Sequence, residues 1–149
     1  MKYTCAAAAA AGFFGLTLLV GCASTKSASS DTTSNAAIRV DILLGVAQIR
    51  GSQDARKLHG QLLRTLERLR GDRGSTAAGR KGRRLAIEGF ASTLKGIDAR
   101  LDFAENDSGN IEAAVRDAKR ADRYLKRGAN FLRAAARAVG VRIGKLNGY

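Results

Sequence analysis

The feature that most constrains the fold is a heptad repeat near the end of the sequence. Stepping by four and three from Ile111 gives eleven positions, ten of them apolar: Ile111, Val115, Ala118, Asp122, Leu125, Ala129, Leu132, Ala136, Val139, Ile143 and Leu146. A register of this length predicts one helix of about 36 residues, roughly 54 Å long, with a single apolar seam. The three alanines in the seam would let a neighbouring helix approach closely.

Two interpretations of the seam remain open. It is either the core contact of an antiparallel bundle within the chain, or it extends past the domain and pairs with another chain. Asp122, the one polar position, has two interpretations as well. It either rotates outward with Lys126 as its i+4 partner, or it faces an arginine and sets the register.

The sequence from Ile38 onward is helical in pattern. The chain has no proline, and no segment alternates apolar and polar residues. We expect a helical stretch over 36–70 that is broken near Gly51, where Ser52 would cap the second piece. A third helix is predicted over 83–105, followed by a turn at 106–110 in which Asn110 or Ser108 caps the last helix.

The apolar positions of these segments lie at helical spacing. The predicted core comprises Ile38, Ile42, Val46 and Ile49, then Leu58, Leu62, Leu66 and Leu69, and then Phe90, Leu94, Ile97, Leu101 and Ala104. The predicted fold is therefore all-α: a small antiparallel helical bundle of three or four helices with a long C-terminal helix, after a disordered tether.

Positive charge is concentrated in two segments. The net charge of the 149 residues is +13, and residues 56–84 hold ten basic residues against two acidic ones. Residues 110–149 hold ten against three, whereas residues 85–109 have two basic and five acidic residues. Two sites for an anionic ligand are predicted from these segments: Arg80, Lys81, Arg83 and Arg84, and Arg116, Arg120, Arg123 and Arg127.

The first of these sites falls in a predicted glycine-containing loop at a helix start, which could wrap a phosphate or carboxylate polymer. The second follows one face of the last helix at steps of four, three and four. Like charges in that arrangement cost a few tenths of a kcal/mol per pair unless something anionic lies nearby. The alternative is a solvated basic surface with no ligand.

The N-terminus begins with Lys2 and continues with an apolar run from Ala6 to Val20 that ends in Leu19-Val20-Gly21-Cys22. The order of charge, apolar run and tetrapeptide resembles the lipobox signal peptide of bacterial lipoprotein precursors. The resemblance implies that Cys22 carries a diacylglyceryl group and that cleavage occurs before it; in this class the new amino terminus is often acylated too. An uncleaved transmembrane anchor is the alternative, although the run is short for a span.

This resemblance divides the chain into a cleaved signal peptide (1–21), a lipidated Cys22 with a flexible Ser/Thr-rich tether (22–37), and a helical bundle domain (38–149). The protein would be lipid-anchored on the exported side of the cell membrane or outer membrane. Cys5 would be removed with the signal peptide. The mature chain would then have no free thiol and, without Lys2, a net charge of +12.

The remaining residues do not suggest catalysis. Two Cys and one His are too few for a structural zinc site, and no nucleophile-and-base or paired-carboxylate pattern occurs. We therefore expect a non-enzymatic protein without a metal or cofactor other than the covalent lipid on Cys22. Few aromatic residues are available for base stacking, so we do not expect a nucleic-acid partner.

Two functions are compatible with these features. The first is a membrane-anchored envelope protein that binds an anionic component, either phospholipid headgroups or a wall polymer. The second is an interaction or assembly protein that pairs through the helix 111–146 with a protein partner or with itself. High salt would weaken the first and spare the second.

Overall fold

The computed structural model describes residues 26–105 and 110–146, with side chains described from residue 35 onward. The predicted signal peptide, Cys22 and Ser108 lie outside this part of the chain. The described residues form four helices and no strand: α1 (Lys26–Gly51), α2 (Ala55–Gly71), α3 (Ala77–Glu105) and α4 (Ile111–Ala138). The predicted all-α bundle is confirmed.

Successive helices are antiparallel, as the contacts between them show. Asp41 pairs with Arg68 and Gln48 with Thr65, so α1 and α2 run in opposite directions. The first turn of α2 meets the end of α3 through an ion pair of 2.6 Å between Arg56 and Glu105. The core lies where all four helices meet.

Several helix ends differ from the prediction. α1 begins at Lys26, so the predicted boundary between tether and domain at residue 37 falls inside a helix. No proline or glycine between residues 26 and 37 interrupts the helix. Asp54, rather than Ser52, caps α2 by accepting the Lys57 N–H at 3.0 Å, whereas Asn110 caps α4 as predicted.

The predicted core is largely confirmed. All eight predicted apolar positions of α1 and α2 are buried, and so are Phe90, Leu94 and Ile97 of α3. Leu101 is only half-buried and Ala104 is exposed, because the end of α3 extends past the four-helix core. The apolar pattern in the sequence continues farther along α3 than the helices that cover it.

Glycines at heptad spacing bring α3 and α4 into close contact. Gly82, Gly89 and Gly96 of α3 face Val139, Leu132 and Leu125 in that order. A Cβ added at Gly89 or Gly96 would lie only 2.7 Å from the Cγ of the facing leucine. The large side chains of α4 therefore seat against the bare backbone of α3, as knobs fit into holes.

The seam of α4 differs from the predicted register. The buried positions are Ala121, Leu125, Gly128, Leu132, Ala135, Ala136 and the capping residue Val139. Most of them follow a second heptad frame that shares Leu125, Leu132 and Val139 with the predicted one. The seam packs within the chain, and Asp122 points outward and pairs with Lys126 at 2.8 Å.

The prediction that the last helix continues to Leu146 is wrong. α4 ends at Ala138, and Gly140 adopts a positive φ of 72°, a conformation that glycine accepts without strain. The following segment turns back, and Val141, Ile143 and Leu146 pack against the core. The longest described helix is α3, with 29 residues against 28 in α4.

Candidate anion-binding surfaces

The predicted basic loop at residues 79–84 is helical. α3 begins at Ala77, and Thr76 caps it by accepting the Gly79 N–H at 3.0 Å. Gly79 and Gly82 do not break the helix because their bare backbones fit against Asn35 and Val139. The four cations of this cluster therefore project from the first two turns of α3, and they do not form a flexible loop that could wrap around a polymer.

Two of the four cations bind the protein's own backbone. The Arg83 guanidinium donates to the carbonyl oxygens of Leu69 and Arg70 at 2.6 and 2.7 Å. Arg80 donates to the carbonyl of Ser75 at 3.0 Å. These carbonyls belong to the last turn of α2 and to the α2–α3 connection, where helical partners are missing. Arg80 and Arg83 thus stabilise the connection.

Lys81 and Arg84 differ from their neighbours. Both side chains are exposed, and neither makes a hydrogen bond or ion pair with another described residue. They lie three residues apart on α3, so they share one face of the helix. Only this half of the predicted cluster is available to an external anion.

The basic face of α4 is largely compensated within the chain. Arg120 pairs with Asp117 at 2.9 Å, and Arg116 lies 3.9 Å from Glu112. Arg127 stacks over the ring of Phe131 at 5.5 Å. Arg123 has no such partner among the described residues. The spacing of the arginines predicted that they repel one another. Carboxylates on the same helix relieve this repulsion.

The structure does not combine the two predicted sites. The start of α3 lies beside the end of α4, because Gly82 faces Val139. Arg123 is sixteen residues before Val139 on α4, which places it roughly 24 Å away along the helix axis. Arg116 is farther still. Arg127, the nearest of the four predicted arginines of α4, is twelve residues before Val139, roughly 18 Å along the axis, so these four lie at a different level of the bundle from the α3 cluster.

The end of the bundle that contains the α3 cluster is strongly positive. Residues 35–41, 68–84 and 137–140, which we call the basic end, hold nine basic and two acidic side chains. The opposite end, formed by residues 50–59, 95–105 and 110–120, holds eight basic and six acidic ones. We call it the hairpin end. Positive potential is thus concentrated at one end of the molecule.

Two arginines of the basic end were not predicted as site residues. Arg39 and Arg137 line one shallow depression together with Thr76 and Gly79. Arg39 also donates to the carbonyl of Val139 at 2.8 Å, which ties α1 to the end of α4. Because these residues come from different helices, no local spacing in the sequence relates them.

Of the two carboxylates of the basic end, Asp41 is buried and Asp72 is partly buried. Asp41 is buried and accepts from the Arg68 guanidinium at 2.7 Å. Burial, together with the nearby Asp41 charge, raises the pKa of Asp72, although Arg83 and Arg68 act in the opposite direction. The Oδ2 atom of Asp72 is buried and has no hydrogen-bond partner among the described residues. Only Asp72 is partly exposed, so the outer surface of the basic end remains predominantly positive.

A second exposed feature runs along α1. Ala36, Val40, Leu43, Leu44 and Ala47 are all exposed, and we call them the outer stripe. Val40 is 60% exposed and both leucines are 42% exposed. Four of the five residues follow steps of four, three and four, so they share the face opposite the buried isoleucines. Helical spacing alone does not reveal this stripe, because α1 is apolar on both faces.

A cleft of about 370 Å³ lies between α1, α3, α4 and the segment that follows α4. Its lining includes Ile49, Leu125 and Leu146, and its rim is polar. The rim groups bind one another, since Lys126 pairs with Asp122 and Arg133 donates to Asn130 at 2.6 Å. The polar groups at the rim of the cleft are therefore at least partly occupied by one another.

Among residues 26–105 and 110–146, no three His, Cys, Asp or Glu side chains are grouped so that they could hold a metal ion. No helix in the described part of the chain is both long enough and apolar enough to cross a membrane. No protein-family model, curated protein or solved structure matches this chain.

Proposed function

We propose that this protein is a non-enzymatic lipoprotein of the bacterial envelope, anchored by acyl chains on Cys22, whose basic end binds an anionic component of the envelope. The observation that carries the proposal is the excess of nine basic over two acidic side chains at that end. Lys81 and Arg84 are two exposed cations there without a described partner. Phospholipid headgroups and wall polymers share the phosphate or carboxylate chemistry that such a surface would attract.

The lipid anchor is supported by the sequence around Cys22. Two or three acyl chains hold a protein at a membrane for practical purposes, whereas a single chain gives marginal attachment. Replacement of Cys22 by Ala should release the protein from the membrane fraction and abolish its labelling by fatty acid. Continued pelleting with continued labelling would rule out Cys22 as the anchor.

Anion binding is tested by co-sedimentation of residues 23–149 with anionic vesicles and with purified cell wall, at low and high salt. Arg80 and Arg83 are left intact because they stabilise the α2–α3 connection. We expect Lys81→Ser with Arg84→Ser to weaken binding by roughly tenfold to thirtyfold, at about 1 kcal/mol per cation.

The matched control is Lys119→Ser with Arg123→Ser, which removes the same charge from the other basic surface. It should retain most of the binding. A larger loss in this control than in the Lys81 and Arg84 variant would place the site on α4. Pelleting that is insensitive to salt, or absent with both ligands, would refute anion binding.

A second candidate function is protein association at the hairpin end. The seam of α4 is occupied by α3 from Ala121 onward, so pairing through the whole helix is not available. Phe103, Ile111 and Val115 remain exposed there, Ile111 at 78%. If neither vesicles nor wall bind, this apolar patch becomes the better-supported contact surface, for a protein partner or a second copy.

A further inference from the structure

The outer stripe of α1 is an apolar surface that the bundle leaves uncovered. α1 packs its isoleucines into the core, yet Val40, Leu43 and Leu44 remain 42–60% exposed on its other side. Ala36 and Ala47 extend the stripe by one turn in each direction. A continuous apolar face of this kind on a surface helix indicates a contact site for a membrane or for another protein surface.

The charges around the stripe favour an anionic lipid surface. Arg39 and Arg50 lie four residues before and seven residues after Leu43, so both follow the same edge of the stripe. Asp41 is the one carboxylate in residues 35–51, and it is buried and paired with Arg68. An apolar stripe with arginines at its margin, and with no exposed carboxylate within residues 35–51, is typical of helices that lie in the membrane interface.

The chain leading to α1 places it beside the proposed anchor. Three residues separate Cys22 from Lys26, so the two lie within about 14 Å of each other even when that segment is fully extended. Ala36 is ten residues farther along α1, roughly 15 Å. An acylated Cys22 would hold α1 at a high effective concentration next to the bilayer.

Self-association is the less favourable alternative. With Lys2 removed the mature chain has a net charge of +12, so two copies repel each other, and pairing of the stripes would bring their arginines together. An anionic bilayer instead attracts the same charges. Charge complementarity therefore favours lipid over a second copy.

We propose that α1 lies along the membrane surface with its outer stripe in contact with the lipid headgroups and the adjoining acyl chains. The inference rests on the proposed lipid anchor for its orientation, and on the geometry of α1 for its contact surface. Ile111, at the start of α4, does not belong to the stripe and would then remain in water.

The contact is tested with a fluorescent probe on the mature lipoprotein, purified and reconstituted into vesicles that contain phosphatidylglycerol. Because acylation blocks Cys22, a cysteine introduced at Val40 or at Ile111 would be the only reactive thiol. We expect bromine-labelled acyl chains to quench an environment-sensitive probe at residue 40 and to leave one at residue 111 unaffected. Equal emission and equal quenching at both positions would overturn the proposal.

A second arm does not depend on the anchor. In residues 22–149 with Cys22→Ser, Val40→Gln with Leu43→Gln should lower partitioning into the same vesicles by about tenfold or more. Ile111→Gln with Val115→Gln is the matched control and should leave partitioning unchanged. Circular dichroism would establish that both variants fold.

The outcomes separate the anchor from the contact. If Cys22 proves not to be acylated but the α1 variant still loses partitioning, the anchor fails and the contact stands. If the anchor holds while residue 40 remains in water, the contact proposal fails. A concentration-dependent change in emission at residue 40 without vesicles would show that a second copy covers the stripe, which would also overturn it.

Discussion

The seam of α4 and the outer stripe of α1 have the same sequence pattern but opposite environments. Ala121, Leu125, Gly128 and Leu132 follow steps of four, three and four, as do Ala36, Val40, Leu43 and Ala47. The first set is buried and the second is exposed. α3 presents glycines to the leucines of α4, whereas no described element covers the outer side of α1.

The same contrast separates the cations of the basic end. Arg80 and Arg83 satisfy backbone carbonyls, while Lys81 and Arg84 project from the same two turns without a described partner. Residue type and spacing therefore do not distinguish groups that serve the bundle from groups that remain available to a ligand. The packing of the neighbouring helices does.

Truncation of one large residue in the seam of α4 and one in the outer stripe should give the largest difference in the free energy of unfolding. Leu132 is fully buried, so Leu132→Ala should lower the free energy of unfolding by about 2–5 kcal/mol. Val40 is 60% exposed, and Val40→Ala should change it by less than about 0.5 kcal/mol. Urea unfolding of the two variants measures both values. A similar loss in both would mean that the outer stripe is part of the core.

The glycine contact gives the next largest effect. An added Cβ at Gly89 would meet Leu132 at 2.7 Å, so Gly89→Ala should destabilise the bundle by about 1–3 kcal/mol. Gly60 of α2 has only the end of the Arg64 side chain nearby, at 3.9 Å. Gly60→Ala should stabilise the protein by about 0.5–1 kcal/mol through helix propensity. Thermal unfolding should show shifts of opposite sign; stabilisation by both substitutions would contradict the close packing of α3 and α4.

A smaller difference in stability is expected between a cation that binds backbone carbonyls and one without a described partner. Arg83→Gln removes two charge-assisted hydrogen bonds to the end of α2 and should cost about 1 kcal/mol of stability. Lys81→Gln should leave stability unchanged within about 0.5 kcal/mol. Vesicle binding should respond in the opposite order, with the larger loss for Lys81→Gln. Equal stability of the two variants would show that Arg83 is not needed for the α2–α3 connection.

The smallest expected effect concerns Asp72, the partly buried carboxylate of the basic end. The pKa of Asp72 is raised in the folded chain, so the folded chain binds a proton on the Asp72 carboxylate more tightly than the unfolded chain does. This tighter binding stabilises the folded state at pH values below 3.8, the usual pKa of an Asp carboxyl group. The stabilisation is lost as the pH rises through the pKa of Asp72 in the folded chain. Asp72→Asn should therefore be slightly more stable than the wild type at pH 7, and the gain should shrink in acid. A constant difference from pH 3 to pH 7 would show that ionisation of Asp72 is not its cause.

Much of the fold could be predicted from periodicity alone. The buried positions of α1 and α2 recur at steps of three and four, and these steps place Ile38 and Leu62 on core faces without knowledge of neighbours. The register of α4 could not be predicted in the same way. Both possible frames contain Leu125, Leu132 and Val139, and the glycines of α3 determine which other positions are buried.

The candidate surfaces were less predictable, because they depend on contacts between residues distant in sequence. Arg83 reaches the carbonyl of Leu69, and Arg39 reaches that of Val139, one hundred residues away. The end of α4 could not be predicted from apolar spacing either. The apolar pattern continues through Ile143. Gly140 nevertheless allows the chain to turn back, so that Ile143 and Leu146 pack against the core from a segment outside the helix.

The central proposal is that a lipid on Cys22 holds the bundle at a membrane. The mass of the N-terminal peptide of the mature protein, purified from the membrane fraction, tests this. We expect a chain that begins at Cys22, with the added mass of a diacylglyceryl group and of any acyl chain on the new amino terminus. A peptide that begins at Met1, or an unmodified Cys22, would contradict the proposal.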